Sequence, residues 1–558
     1  SYYGQPANIF NEITTQRESN PATAFWNPAL PLSIRTLPTI PAPKNSFGPS
    51  VGFVYAPQWG GFLTGHGKTT FRGGYRMLYD PPFYNIYLNI ATSAPEVFNQ
   101  SLAGPGLGGT APGVPAVPTG PNVRNLLAPS LTKGVSDPRT FSQTQISPNF
   151  GPDKVQTWSL GFERELSKNS AVEARYVGNH GYNLFQTLNA NPNIQNLFTK
   201  FPNLVPAGLT PCPAASAFNP VATGRINCNQ GIVRQRSNTG FSNYNALQTE
   251  FRANNLFKQL TIRTAYTFSK TLDNVSEIFS TFGGGNSSFI YQNPANPNGP
   301  GEYSFSGLDF PQQWTVLLTE QLPFYKEQHG LAGHILGGWS VAANYIVASG
   351  QRYTPTQFFA ARATGTNFFD TAFTRSFNSS VESARPFLGS LSAPSTSVGM
   401  FAGDACALFS FSGTDPLCTG SPTQLINLTA VGKSGCESDP TIPCPFVPVQ
   451  NNQVRFIANS GIAQTVFGTP FGNMPRNPVA DAMTQIGNAS IYKNIKLGEH
   501  ASFEFHTTFL NVFNQANFTS IDAILEDAGA HGAFNGFGDV TQTPSVTRRI
   551  IFGGKLTF

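Results

Sequence analysis

The chain has 558 residues, a net charge of +5 and only 11% charged residues, against about 25% in an average soluble protein. Aromatics reach 13%, with 48 Phe and 17 Tyr, and Gly (54) and Pro (45) are both abundant. This composition buries a large apolar surface, leaves too little charge to cover a soluble exterior, and contains no basic run that would imply a nucleic-acid partner.

In chain order, residues 1–49 are rich in Pro and Asn and read as loop. Ser50–Pro57 is a short strand. Lys68–Tyr79 is a longer one, with Phe71, Tyr75 and Met77 on one face and Arg72 and Arg76 on the other, the period-two pattern of a strand with unlike faces. After a Gly/Pro/Ser/Asn-rich stretch come two close strands. Lys154–Leu166 groups Trp158, Leu160 and Phe162, and Asn169–Gly178 alternates Val172, Ala174 and Tyr176 against Glu173 and Arg175. The next pair is Phe241–Ala253 and Lys258–Ser269, the latter with Leu260, Ile262, Tyr266 and Phe268 opposite Arg263. Pro311–Leu322 and Ile335–Gly350 follow, and the second carries an apolar stripe from Trp339 through Tyr345 to Val347. Gln485–Leu497 and Ala501–Val512 come next, and Thr547-Arg-Arg-Ile-Ile-Phe-Gly-Gly-Lys-Leu-Thr-Phe558 ends the chain on an aromatic.

Connections between these eleven strands alternate between short and very long. The long ones fall at 80–152, 179–240, 270–310, 351–484 and 513–545. Structureless loops of that length count against a compact soluble domain, whereas outer-membrane barrels combine short periplasmic turns with long extracellular loops. No window approaches 18 consecutive apolar residues, so no transmembrane helix is expected, and a closed barrel is the remaining way to satisfy backbone groups in lipid. The expected fold is all-β, an antiparallel transmembrane β-barrel with long extracellular loops. Residues 1–49 are expected as an extracellular loop region and 50–558 as the barrel portion. About 11–12 strands of an expected 22 are present, because single-chain barrels have even strand numbers and large plugged transporters have 22. The chain starts at Ser1 without a leader-like segment and is expected to lack an N-terminal portion.

Phe71, Tyr75, Trp158, Phe162, Leu260, Tyr266, Trp339, Tyr345, Phe503, Phe505 and Phe552 are expected to face lipid. Arg72, Arg76, Glu173, Arg175, Arg263 and Glu504 are expected to face the lumen, where any wet interior needs polar residues. Nothing points to catalysis, a metal or a cofactor. Gly104-Pro-Gly-Leu-Gly-Gly109 matches G-x-G-x-x-G but lacks the strand and helix that phosphate binding requires. Gly65-His-Gly-Lys-Thr69 is a turn, and His500 and His506 read as solvated. Cys212 and Cys228 fall in one long loop, and Cys406, Cys418, Cys436 and Cys444 in another. No C-x-x-C suggests zinc, and an even count on the outside fits disulfides. Cys212–Cys228, Cys406–Cys418 and Cys436–Cys444 close the shortest local loops, although the sequence leaves the connectivity of the last four open.

Several segments together resemble TonB-dependent outer-membrane receptors of the Oar-like type, which carry a carboxypeptidase-regulatory-like domain. They are Arg72-Gly-Gly-Tyr-Arg-Met-Leu-Tyr-Asp80, Tyr176-Val-Gly-Asn-His-Gly-Tyr-Asn-Leu184, Tyr244-Asn-Ala-Leu-Gln248 and Ala265-Tyr-Thr-Phe-Ser-Lys-Thr-Leu-Asp273. Gly338-Trp339, Ser349-Gly-Gln-Arg-Tyr-Thr-Pro355, Leu510-Asn-Val-Phe-Asn-Gln-Ala-Asn-Phe518 and the terminal strand complete the set. The resemblance implies a non-enzymatic receptor or transporter in the bacterial outer membrane, taking up an unidentified solute. It implies as partners outer-membrane lipid, the TonB complex through a missing N-terminal region, and the barrel-assembly machinery through the C-terminal strand. In that strand Gly553, Leu556 and Phe558 match the assembly signal, while Ile551 stands where a polar residue is usual. The alternative is a surface or adhesion protein anchored by the barrel.

Overall fold

Residues with one-sided apolar alternation form the eleven strands of a single antiparallel sheet in a computed structural model. The model describes residues 7–558 other than 43–45, 63, 83–84, 98–131 (except 121 and 125), 217, 222, 257–258, 277–290, 294–295, 358–384, 409–414, 431–445, 499–500, 526–527, 529–536, 539 and 543–546. The strands are β1 (Ser50–Tyr55), β2 (Thr69–Asp80), β3 (Asp153–Ser167), β4 (Ser170–Asn189), β5 (Val233–Leu256) and β6 (Leu260–Asp273). They continue as β7 (Gln312–Gln321), β8 (Trp339–Ala348), β9 (Thr484–Lys496), β10 (Ser502–Leu510) and β11 (Arg549–Thr557). Each pairs with its neighbour in sequence, and all ten pairings are antiparallel. Among the described residues no pairing joins β1 to β11. Those two strands run in the same direction, so closing this sheet directly on itself would pair them in parallel.

The register sorts side chains onto two faces. Tyr75 stands opposite Trp158 and Phe71 opposite Phe162, Leu160 opposite Tyr176, and Tyr266 opposite Trp314. Carried across to Phe503, Phe505 and Phe552, this register places every residue expected to face lipid on one side of the sheet. Gly178 lies under the Trp158 ring, and a Cβ there would come within 2.2 Å of it. That contact accounts for the first of the two glycines in the Tyr176–Leu184 segment.

Burial is inverted relative to a soluble sheet. On the strands Leu160 is 58% exposed and Phe552 68% exposed, as expected where lipid is the solvent. The apolar cores lie instead in the long connections. Val398, Met400, Ile426, Leu428 and Phe456 are buried with Leu525 and Phe537. This core sits beside a small sheet of Phe387–Leu388, Phe456–Ile457, Val398–Phe401 and Leu425–Asn427, so the connections before β9 and before β11 share one folded cap. No helix among the described residues is long and apolar enough to cross a membrane.

Residues 1–49, expected as loop, contain helix α1 (Ala7–Ser19). The helix escapes an apolar-period reading because its buried stripe is largely polar, comprising Ala7, Asn11, Thr14 and Glu18, while Ile9 and Ile13 are exposed. Asn11 Nδ2 donates to Pro38 O at 2.7 Å, Glu18 pairs with Arg35 at 3.3 Å, and the Thr14 hydroxyl donates to the Glu96 carboxylate. Burial pushes Glu96 from its ordinary 4.5 up to about 8, against the opposing pull of Arg17. A carboxyl whose folded pKa is raised gives its full stabilisation below the unfolded value and loses it as pH rises through the folded one. Docking of α1 is therefore expected to weaken between about pH 4.5 and 8. Amide exchange in α1, corrected for intrinsic rate, should accelerate across that window, and Glu96→Gln should flatten the profile. An unchanged profile in Glu96→Gln would assign the effect to another group.

Candidate functional site

The face opposite the apolar one carries a lattice of charges near the short-turn end of β2 to β6. Glu163 stands opposite Glu173, and Glu173 opposite Glu250, so three carboxylates lie side by side on β3, β4 and β5. The row above contains Arg72, Gly161 and Arg175, and the row below contains Arg252 opposite Arg263. Three adjacent carboxylates repel one another, and the flanking guanidiniums offset this. Arg72 Nη2 lies 2.7 Å from Glu163 and 3.0 Å from Glu173. Arg252 also meets Glu163, and Arg263 pairs with Glu250 at 2.9 Å. Gly161 matters here, because a Cβ at that position would lie 2.9 Å from the Arg175 Cβ.

Of the residues expected to face the lumen, Arg72, Glu173, Arg175 and Arg263 thus belong to one lattice, and Arg76 lies two rows above Arg72 on the same strand. Arg175 donates to Gln248 at 2.7 Å rather than to a carboxylate. Neither Arg76 nor Arg175 forms an ion pair among the described residues. Glu504 lies apart, on β10, with His506 Nδ1 at 3.6 Å. Sequence reading places Glu250 on the polar side of its strand without singling it out, and it misses Glu163 and Arg252. The turn between Ser167 and Ser170 alone does not reveal the pairing, because a bulge between Glu165 and Ser167 shifts the register and so brings Glu163 opposite Glu173.

Above the strands, buried ion pairs fix the cap to the rim. Arg476 reaches Asp273 at the end of β6 at 3.2 Å, Arg385 meets Glu302, and Arg352 meets Asp309 at 2.6 Å. Burial pushes Glu302 up, although Arg385 and Arg476 pull it down.

Two disulfides brace the loops. Cys212–Cys228 has a Cα–Cα distance of 5.6 Å, and Cys406–Cys418 one of 5.9 Å. Cys436, Cys444, His500 and Gly104–Gly109 lie outside the described residues. Gly65, His66 and Gly67 all have positive φ, the geometry of a turn. No group of three metal-ligating side chains occurs among the described residues.

Residues 37–551 match a family model described as an outer membrane beta barrel domain. No curated protein matches the chain. Among solved structures, the outer membrane transporter YddB from Escherichia coli aligns at 7% identity and a TM-score of 0.35, covering 88% of this chain and 38% of that one. The ferric-catecholate import receptor Fiu from E. coli K12 aligns at 9% identity and TM-score 0.32, covering 91% and 34%. The FrpB iron transporter from Neisseria meningitidis aligns at 10% identity and TM-score 0.33, covering 91% and 39%. The chain spans less than two fifths of the length of each of these three proteins.

Proposed function

The chain belongs to the outer membrane beta-barrel domain family, and from that premise we propose that it forms part of the wall of a TonB-dependent receptor that imports a solute across the bacterial outer membrane. The observation that carries this reading is the width of the sheet. Eleven contiguous antiparallel strands fit only into an even-numbered barrel of twelve or more. Eight strands already suffice for an interior filled by side chains, and wider barrels enclose a channel or a plugged lumen. A barrel that serves only to anchor surface loops has no need of that width. The charged inner face supports a hydrated interior.

The Oar-like type is proposed on the ordered resemblance. Four of its segments fall within five consecutive strands, on β2, β4, β5 and β6. Energy coupling would come from the TonB complex, reaching the barrel through a region outside residues 1–558. The barrel-assembly machinery would engage β11 and the terminal Phe558 that follows it, where Phe552 and Phe558 are exposed. The activity proposed is binding and transport, with no catalytic step.

Solute depletion from a defined medium tests this reading. Cells lacking the protein, cells lacking the TonB complex and cells lacking both are compared with the parent. The expected result is at least one solute whose uptake falls equally in both single mutants and no further in the double. Loss of the protein with no such solute would overturn the transport reading.

A further inference from the structure

Just above the charged lattice, on the same polar face, runs a row of small side chains. Gly74, Ser159 and Val177 stand side by side on β2, β3 and β4. The row above them begins with Arg76 and Thr157, and the row below holds Arg175 opposite Gln248. Long side chains on either side of short ones leave a hollow of about 400 Å³. Arg76 and Thr157 form one wall, Arg175 and Gln248 the other, and Gly74 and Ser159 the floor.

The charges around this hollow do not balance. The carboxylates Glu163, Glu173 and Glu250 are matched within the lattice by Arg72, Arg252 and Arg263. Arg76 and Arg175 are left over, with no ion pair among the described residues. Gln248 accepts one N–H of Arg175 at 2.7 Å, which orients the guanidinium and leaves further donors for a ligand. Two guanidiniums on opposite walls repel each other. An anion between them removes that repulsion and gains charge-assisted hydrogen bonds from both. The Thr157 and Ser159 hydroxyls add neutral donors.

We propose that this hollow is a binding site for a compact oxyanion, a carboxylate or phosphate group carried by the imported solute, with Arg76 and Arg175 as its charged contacts. The carrier's identity as a solute rests on the import reading, whereas the anion rests on the hollow alone. The lattice below serves the site by keeping its three carboxylates neutralised, so that their field does not cancel that of the two arginines.

The test uses the intact protein extracted from outer membranes into a zwitterionic detergent. Inorganic phosphate and succinate are the probes, titrated calorimetrically at low ionic strength, where screening is weakest. Wild-type protein should bind at least one of them. Arg76 and Arg175 are both exposed, so their replacement should leave the sheet folded, which heat-modifiable gel mobility checks. Arg76→Gln and Arg175→Gln should each weaken binding on the order of tenfold, and the double variant should abolish it. Lys555→Gln removes the same charge from the same face at β11, opposite Glu504, and should change the affinity by less than about twofold. Ser159→Leu keeps both arginines but fills the floor, and should also lose binding. Binding of neither probe by the wild type, equal weakening by Lys555→Gln, or full affinity in the double variant or in Ser159→Leu overturns the site. Solute depletion dependent on the TonB complex is unaffected by such a result, so the site and the import reading fail separately.

Discussion

Ala343→Arg should block insertion of this sheet into the outer membrane, while Ala342→Arg, one residue earlier on β8, should be tolerated. The two substitutions start from the same residue on the same strand and differ only in the face they load. Ala343 lies in the row Ile262, Leu318, Ala343, Ala489, Phe509 and Ile550, which is apolar throughout. Ala342 lies in the row Thr261, Thr319, Ala342, Ser490 and Thr508, in which its four neighbours all carry hydroxyls. Both positions are near the middle of Trp339–Ala348, and therefore near the bilayer midplane. An arginine facing lipid there costs about 2–4 kcal/mol, whereas a lumen-facing one meets water. Tenfold per 1.4 kcal/mol makes this a loss of roughly 30- to 700-fold in the inserted-to-uninserted ratio. Folded protein in outer-membrane fractions, scored by heat-modifiable gel mobility, checks it. If Ala342→Arg proved the damaging variant, the apolar face would be the inner one and the membrane orientation given above would be reversed.

Among the charges on the apolar face, Lys493 near the end of β9 is compensated. Lys493 shares a row with Trp339 and Phe505. Its ammonium donates to His334 O at 2.5 Å, to Ile335 O at 3.3 Å and to Gly337 O. These are carbonyls at the end of the short helix Gly330–Leu336, where the helix dipole favours a cation. A lipid-facing lysine is thereby turned into a clasp on the connection between β7 and β8.

The eleven strands are legible in the sequence because lipid makes the two faces chemically unlike, and a period of two records that difference. The same cause explains where legibility ends. The expected strand Asn169–Gly178 stops where the lipid side turns polar, yet β4 continues through His180 and Tyr182 to Asn189, and β5 starts at Val233 rather than Phe241. Beyond the bilayer neither face is required to be apolar, so the strands persist while the pattern does not. The cap is hidden for the opposite reason. Val398–Phe401 is buried at all four positions, and a short strand buried on both faces shows no alternation. In the charged lattice on the polar face, Arg72, Glu173 and Arg263 are legible one strand at a time. Glu250 is legible on the polar side of its strand, but Glu163 and Arg252, and the pairing of all three, become visible only when register joins the strands.

Phe456→Ala should unfold the cap while leaving the membrane sheet in place. Phe456 is fully buried, pairs with Leu388 and Val398, and meets Phe537 edge to face at 5.6 Å. Its ring is therefore shared by the connections before β9 and before β11, and its removal separates them. Truncating a buried phenylalanine to alanine costs about 3–5 kcal/mol. Little offsets that loss locally. The Cys406–Cys418 bridge constrains the chain on one side of the core, and the rim ion pair Arg476–Asp273 holds the other. Neither restores contact between Phe537 and the small sheet. Arg455, next to Phe456, donates to Leu391 O at 2.6 Å and to Ala393 O at 2.9 Å, contacts that an opened cap gives up. Cleavage after Arg455 by trypsin on intact cells should accelerate a hundredfold or more, since proteolysis follows the population of the open form. Heat-modifiable mobility of the sheet should not change. Phe552→Ala, on the lipid face of β11, should leave Arg455 protected. Equal cleavage of Phe456→Ala and wild type would mean that the two connections do not depend on this shared core.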